Sequence, residues 1–135
     1  MKIIVAGASD VGTHLAKMLS NENHDLVVID PVESHLSNVE NLDLITVNGS
    51  ATSFSVLKEA NIKKADLFIA VTQSEDTNIT AAMLSKKMGV QKTVARIDNK
   101  EYLFQENREY FQSIGVDHLI YPENIAVREL VSVVK

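Results

Sequence analysis

Residues 2–30 read KIIVAGASDVGTHLAKMLSNENHDLVVID. The first five, KIIVA, are short and rich in β-branched residues and stop at Gly7, which predicts a buried strand. Val11, Leu15, Met18 and Leu19 then recur at helical spacing and predict a helix over residues 11–19. A polar turn at residues 21–24 leads into DLVVID, a second strand over 25–30 stopped by Pro31, which has no N–H to give a ladder.

The turn between the first strand and the helix is Gly7-Ala8-Ser9-Asp10-Val11-Gly12, a G-x-G-x-x-G pattern with serine in the second glycine slot. In that pattern the first glycine makes the tight turn, the second lets backbone approach a pyrophosphate, and the third lets helix pack close on strand. The helix start offers unpaired N–H groups and the positive end of its dipole to phosphate. Asp30 ends the second strand 18 residues after Gly12, where a carboxylate can accept from ribose hydroxyls and repel a 2′-phosphate. Two readings follow. In one, the unit holds a dinucleotide or adenine nucleotide. In the other, Gly7 and Gly12 serve only the turn and the packing of an empty α/β domain. Ser9 adds a side chain to the turn, and Asp10 puts negative charge at an anion-binding helix end, although acids also stabilise helix starts.

The rest of the chain keeps the same rhythm. Strands are predicted at 44–48, 67–72, 92–97 and 117–121, and helices at 33–39, 53–60, 76–88, 108–114 and 123–134. The strands are continuous apolar runs, as in a parallel sheet covered on both faces. Right-handed crossovers then give an α/β fold: a doubly wound, parallel, six-stranded, Rossmann-like sheet in a single domain over residues 1–135. The absence of cysteine excludes disulfides and thiolate chemistry. The four histidines are scattered, with no helical metal pair, so no metal site is expected. A net charge of −5 argues against a nucleic-acid partner. No apolar run approaches the ~20 residues of a membrane span, so a cytoplasmic location is expected.

None of the three tyrosines has a lysine four residues on, and no substrate domain follows within these residues. A non-enzymatic nucleotide module is therefore expected. At this point the chain resembles the N-terminal regulatory domain of Trk/Ktr potassium-uptake systems, called TrkA-N or RCK. The resemblance rests on KIIVAGASDVGTHLA at 2–16, VVID at 27–30 and GSAT at 49–52. It continues through AVTQSEDTNITAAMLSKKMG at 70–89, ARIDNKEY at 95–102 and IYPENIAVREL at 120–130.

The resemblance implies a peripheral cytoplasmic subunit that binds NAD(H) or ATP/ADP and gates a membrane K⁺ pore. On that mapping Gly7, Ala8, Ser9, Asp10, Val11 and Gly12 hold the phosphates and Asp30 the ribose. Ser50 and Ala51 lie beside adenine, and Thr72, Gln73 and Ser74 line the crevice beyond the strand ends. Arg96 is either a phosphate contact, in this protomer or its partner, or a strand-end ion pair. Glu75 is either a cation or interface residue or a helix-start acid. The family usually carries an acid where Ser50 stands, and it often adds a C-terminal domain or repeats the unit, so this chain is a fragment or a one-domain subunit. Self-association, as a homodimer or higher ring, is expected from the ring-forming family and from apolar residues on the 76–88 and 123–134 helices. The alternative is the NAD-binding domain of an oxidoreductase separated from its substrate domain.

Overall fold

The computed structural model describes residues 1–122. Six strands, β1 (Lys2–Ala6), β2 (Asp25–Asp30), β3 (Ile45–Asn48), β4 (Leu67–Ala70), β5 (Lys92–Arg96) and β6 (His118–Ile120), form one sheet in the order β3-β2-β1-β4-β5-β6. Every neighbouring pair is parallel. The crossovers carry α1 (Asp10–Ser20), α2 (Glu33–Leu36), α3 (Phe54–Glu59), α4 (Glu75–Lys87) and α5 (Gln105–Ser113). This is the doubly wound Rossmann-like sheet that the alternation predicts. The predicted helix over 123–134 lies outside the described residues.

The inner strands β1, β2, β4 and β5 are buried on both faces over most of their length, which is why they read as largely apolar runs, whereas the edge strand β3 leaves Ile45, Thr46 and Asn48 exposed and β6 is half-buried. Ile3 and Val5 face a cluster with Leu15, Ala16 and Leu19 of α1. Their neighbours Ile4 and Ala6 point the other way, against Leu57 of α3 and Ala81 of α4. Phe68 and Ile69 of β4 are fully buried, one on each side. Burial of each large side chain contributes about 1.5–3 kcal/mol. The two central strands therefore anchor the ends of β1 and β4, where the chain reverses its winding direction.

Several boundaries differ from the sequence reading. The segment predicted as helix over 33–39 is helical only to Leu36, because Asn38 and Val39 donate to the carbonyls three residues back rather than four. The helix predicted from residue 108 begins at Gln105. The Phe104 carbonyl accepts from the N–H groups of Asn107 and Arg108, so a polar first turn precedes the apolar spacing. Strand pairing at β4 ends at Ala70 rather than at Thr72. Two 3-10 turns, Ile62–Lys64 and Lys100–Leu103, have no counterpart in the periodicity. On α4, Ala82 packs with Ala95 and Val116, and Ile79 and Met83 pack against that cluster. These residues are thus used within the chain, and self-association draws no argument from them.

Candidate functional site

The first turn is built by close backbone approach. Gly7 sits at φ +112°, and a Cβ there would lie 2.9 Å from the Thr72 nitrogen and 3.0 Å from the Val71 carbonyl. A Cβ on Gly12 would lie 1.7 Å from the Gly7 carbonyl oxygen, so α1 rests directly on the turn. These are the turn and helix-packing roles that the spacing assigns to the two glycines. Gly7 N–H donates to the Ile29 carbonyl at 2.8 Å and Thr13 Oγ1 donates to the Ala8 carbonyl at 2.8 Å. Ser9 occupies the N-cap position of α1 without a side-chain cap bond, leaving the first-turn N–H groups open to an anion. Asp10 is exposed beside it.

Asp30 is the junction of the site. Its side chain is only 6% exposed. One carboxylate oxygen, Oδ2, accepts the Ala8 N–H at 2.8 Å. The other, Oδ1, accepts the Val32 N–H at 2.8 Å and the His35 Nδ1 donor at 3.0 Å. Its backbone carbonyl accepts from Gly49 N–H at 3.0 Å and Asn48 Nδ2 at 3.1 Å. Asp30 therefore ties the ends of β1, β2 and β3 together. A carboxylate has about four acceptor positions, and three are filled from within the chain. This narrows the expectation of an acid facing two ribose hydroxyls: with His35 in place, one position is left.

Above Asp30 lies a cleft of about 340 Å³ at the carboxyl ends of β1, β2, β3 and β4. Ser9 and Asp30 line one side of it, Ser50 and Ala51 the next, and Thr72, Gln73 and Ser74 the third. Gly7, Ala8 and Gly12 are buried in the turn beneath. Asp10 lines an adjoining cleft of about 550 Å³ together with Thr13, Asn38 and His35. Val11 lines neither; it faces a separate recess near His14 and Pro122. Arg96, at the end of β5, does not line the cleft either. Its Nε is buried without a hydrogen-bond partner, and it makes no ion pair among the described residues.

The structure adds residues that the sequence reading did not select. His35, Pro31, Val32 and Thr77 line the main cleft. Asn78, fully buried on α4, bonds the end of β4 to the end of β5. Its Oδ1 accepts from the N–H and the hydroxyl of Thr72, at 2.9 and 2.6 Å, and its Nδ2 donates to the carbonyls of Thr72 and Arg96, at 3.0 and 3.1 Å. The available signal was an amide side chain four residues before Ala82 on the buried face of the helix. Glu75 has a definite internal role: its Oε2 accepts the N–H groups of Asp98 and Asn99, at 2.6 and 2.8 Å. It clamps the loop after β5.

An all-parallel sheet in this strand order, with a glycine turn crossing the point where winding reverses, defines a doubly wound domain of the Rossmann type. The sequence model of the TrkA-N domain family matches residues 3–122, and the chain belongs to that family. It is 39% identical over 133 residues to the Trk system potassium uptake protein TrkA of Haemophilus influenzae, covering 96% of this chain and 29% of that protein. A TrkA homolog of Archaeoglobus fulgidus is 36% identical over 125 residues, 91% of this chain and 28% of that protein. The chain thus spans less than a third of the length of these two relatives. Among solved structures, the TrkA-N domain of the inner membrane protein ybaL from Escherichia coli superposes with a TM-score of 0.77 at 16% identity, covering 99% of this chain and 96% of that one. The GsuK protein bound to ADP superposes with a TM-score of 0.70 at 23% identity, covering 99% and 34%. The GsuK channel bound to NAD does so at 0.69 and 23% identity, covering 98% and 23%. No helix among the described residues is long and apolar enough to cross a membrane.

Proposed function

We propose that this chain is a nucleotide-sensing regulatory domain of a potassium-uptake system, acting on the cytoplasmic side of a membrane K⁺ pore. The observation that carries the reading is the convergence of four chain segments on one cleft at the reversal point of the sheet. They are the glycine turn, the Asp30 junction, Ser50–Ala51 and Thr72–Ser74. In this reading Gly7 and Ala8 shape the turn, and the α1 start holds phosphate through backbone N–H groups from Ser9 to Gly12, the Ala8 N–H being held by Asp30. Asp30 accepts from the adenosine ribose, Ser50 and Ala51 flank adenine, and Thr72, Gln73 and Ser74 close the far wall. The ligand is NAD(H) or ATP/ADP rather than NADP(H), because a 2′-phosphate would meet the Asp30 carboxylate and Glu33, and residues 31–34, Pro-Val-Glu-Ser, bring no arginine. Arg96 stands outside the cleft and serves a phosphate only at the far end of a longer ligand or in a second copy.

The TrkA relatives support the link to potassium uptake, and the ADP-bound and NAD-bound GsuK structures support the ligand class. The TrkA relatives are potassium-uptake proteins, and on that ground the domain is read as one that senses and does not turn over. It assembles as a homodimer or ring, and the exposed Phe104, Tyr110 and Ile114 along α5 favour a contact there. The test is calorimetric titration with ADP, ATP, NADH and NADPH, with absorbance followed for NADH oxidation. Saturable binding without turnover, weaker for NADPH, is the expected result. Equal affinity for NADH and NADPH removes the ribose role of Asp30, and steady hydride transfer to a small carbonyl contradicts the regulatory reading.

A further inference from the structure

The geometry points to His35 as the residue that an adenosine ribose displaces from Asp30, an inference that rests on the nucleotide reading above. Three donors converge on that carboxylate, and they are not equivalent. The Ala8 N–H belongs to a fully buried residue in the glycine turn, and the Val32 N–H belongs to the turn that leaves β2. Neither can leave without unmaking backbone. His35 is a side chain on the four-residue α2, 40% exposed, with Nδ1 3.0 Å from Oδ1. Because the carboxylate only accepts, Nδ1 carries the hydrogen.

The same ring lines both the main cleft and the adjoining one beside Thr13 and Asn38. Rotation about its own side-chain torsions moves it from one to the other without backbone change. While His35 is bound, Asp30 has one acceptor position for a ligand. Once it has swung away there are two, matching the two hydroxyls of a ribose cis-diol. Diol and imidazole therefore compete for Oδ1, and His35 sets how tightly the cleft holds a ribonucleotide. A ligand with a single ribose hydroxyl takes the position already open and has no need to move the ring.

The test compares ADP with 2′-deoxy-ADP on the wild type, His35→Ala and His35→Asn, by calorimetry on the 135-residue chain. Removing the competitor is expected to tighten ADP about ten- to a hundredfold, the range of one hydrogen bond to a charged group, with 2′-deoxy-ADP nearly unchanged. His35→Asn keeps an N–H donor near the Nδ1 position and is expected to behave like the wild type. In the wild type, ring-nitrogen NMR should show the His35 Nδ1 hydrogen bond lost with ADP and kept with 2′-deoxy-ADP, a readout that does not depend on any variant folding. An equal change for both ligands on His35→Ala, weaker ADP binding, or an undisturbed ring signal at ADP saturation overturns the inference while leaving the nucleotide reading standing. If no variant and no wild type binds ADP or NADH, the nucleotide reading fails and this inference with it.

Discussion

Replacing Asp30 by alanine tests whether this side chain is part of the frame or only part of a ligand site. In the absence of nucleotide the carboxylate satisfies the N–H of Ala8, which is fully buried, and that of Val32, which is at an exposed residue. After truncation Val32 can turn to water, but Ala8 cannot. An orphaned buried donor costs about 1–3 kcal/mol, and losing a second bond to a charged acceptor adds roughly 1 kcal/mol. The expected loss is therefore about 2–4 kcal/mol from a total that is typically 5–15 kcal/mol for a domain. At this chain length that corresponds to a fall in Tm on the order of 10 °C. Asp30→Asn should recover little, because the two backbone donors meet different oxygens and a carboxamide turns one of them into a donor. Urea unfolding of the ligand-free chain measures this directly. An Asp30→Ala variant within about 0.5 kcal/mol of the wild type refutes the argument, and would mean that the carboxylate serves a ligand alone.

Three further outcomes follow from single contacts. Gly12→Ala places its Cβ 1.7 Å from the Gly7 carbonyl oxygen, so α1 must move off the turn. The loss should reach or exceed the ~3 kcal/mol upper range of ordinary overpacking, read by thermal melts or by failure to fold. Glu75→Ala should speed amide hydrogen exchange at Asp98 and Asn99, while Glu75→Gln, which keeps an accepting oxygen, should leave it slow. Burial on the β6 edge lowers the pKa of His118 below 6.5; the Asp117 carboxylate opposes this, and Lys92, Arg108 and Lys86 reinforce it. The unfolded chain then takes up this proton at a higher pH than the folded one, so His118 makes stability fall as pH drops through 6.5. His118→Gln should shrink the stability difference between pH 7.5 and 5.5, and an unchanged difference would remove the argument.

Much of the architecture is legible in residues 2–30. A strand buried on both faces is apolar along its buried length, as residues 3–6 are, and only glycine fits where Gly7 crosses β4 and where α1 sits on the Gly7 carbonyl. The members of the cleft wall from Ser50 to Ser74 follow once strand order is known, since all parallel strands end on one side. What the sequence does not carry is side-chain direction. Asp30 at the end of β2 reads equally well pointing to solvent or down onto Ala8, and the difference is set by a turn at Pro31 and by His35, five residues on. Arg96, one partner of Asn78, and Asp98 and Asn99, the partners of Glu75, lie 18 to 24 residues away at and beyond the end of β5, and a local pattern cannot report them. Nor does a motif position or a strand end report where its side chain goes: the Val11 side chain lines the recess beside His14 and Pro122, and Arg96 does not line the main cleft.

The most direct measurement of the central claim is an amide NMR titration of the 135-residue chain with ADP and with NADH. Saturable shifts are predicted at Ala8 to Gly12, at Asp30 and Val32, at Ser50 and Ala51, and at Thr72 to Ser74, all with one dissociation constant per ligand. Shifts confined to another surface, such as the recess at Lys58 and Lys63, or no saturable shift with either nucleotide, would contradict it.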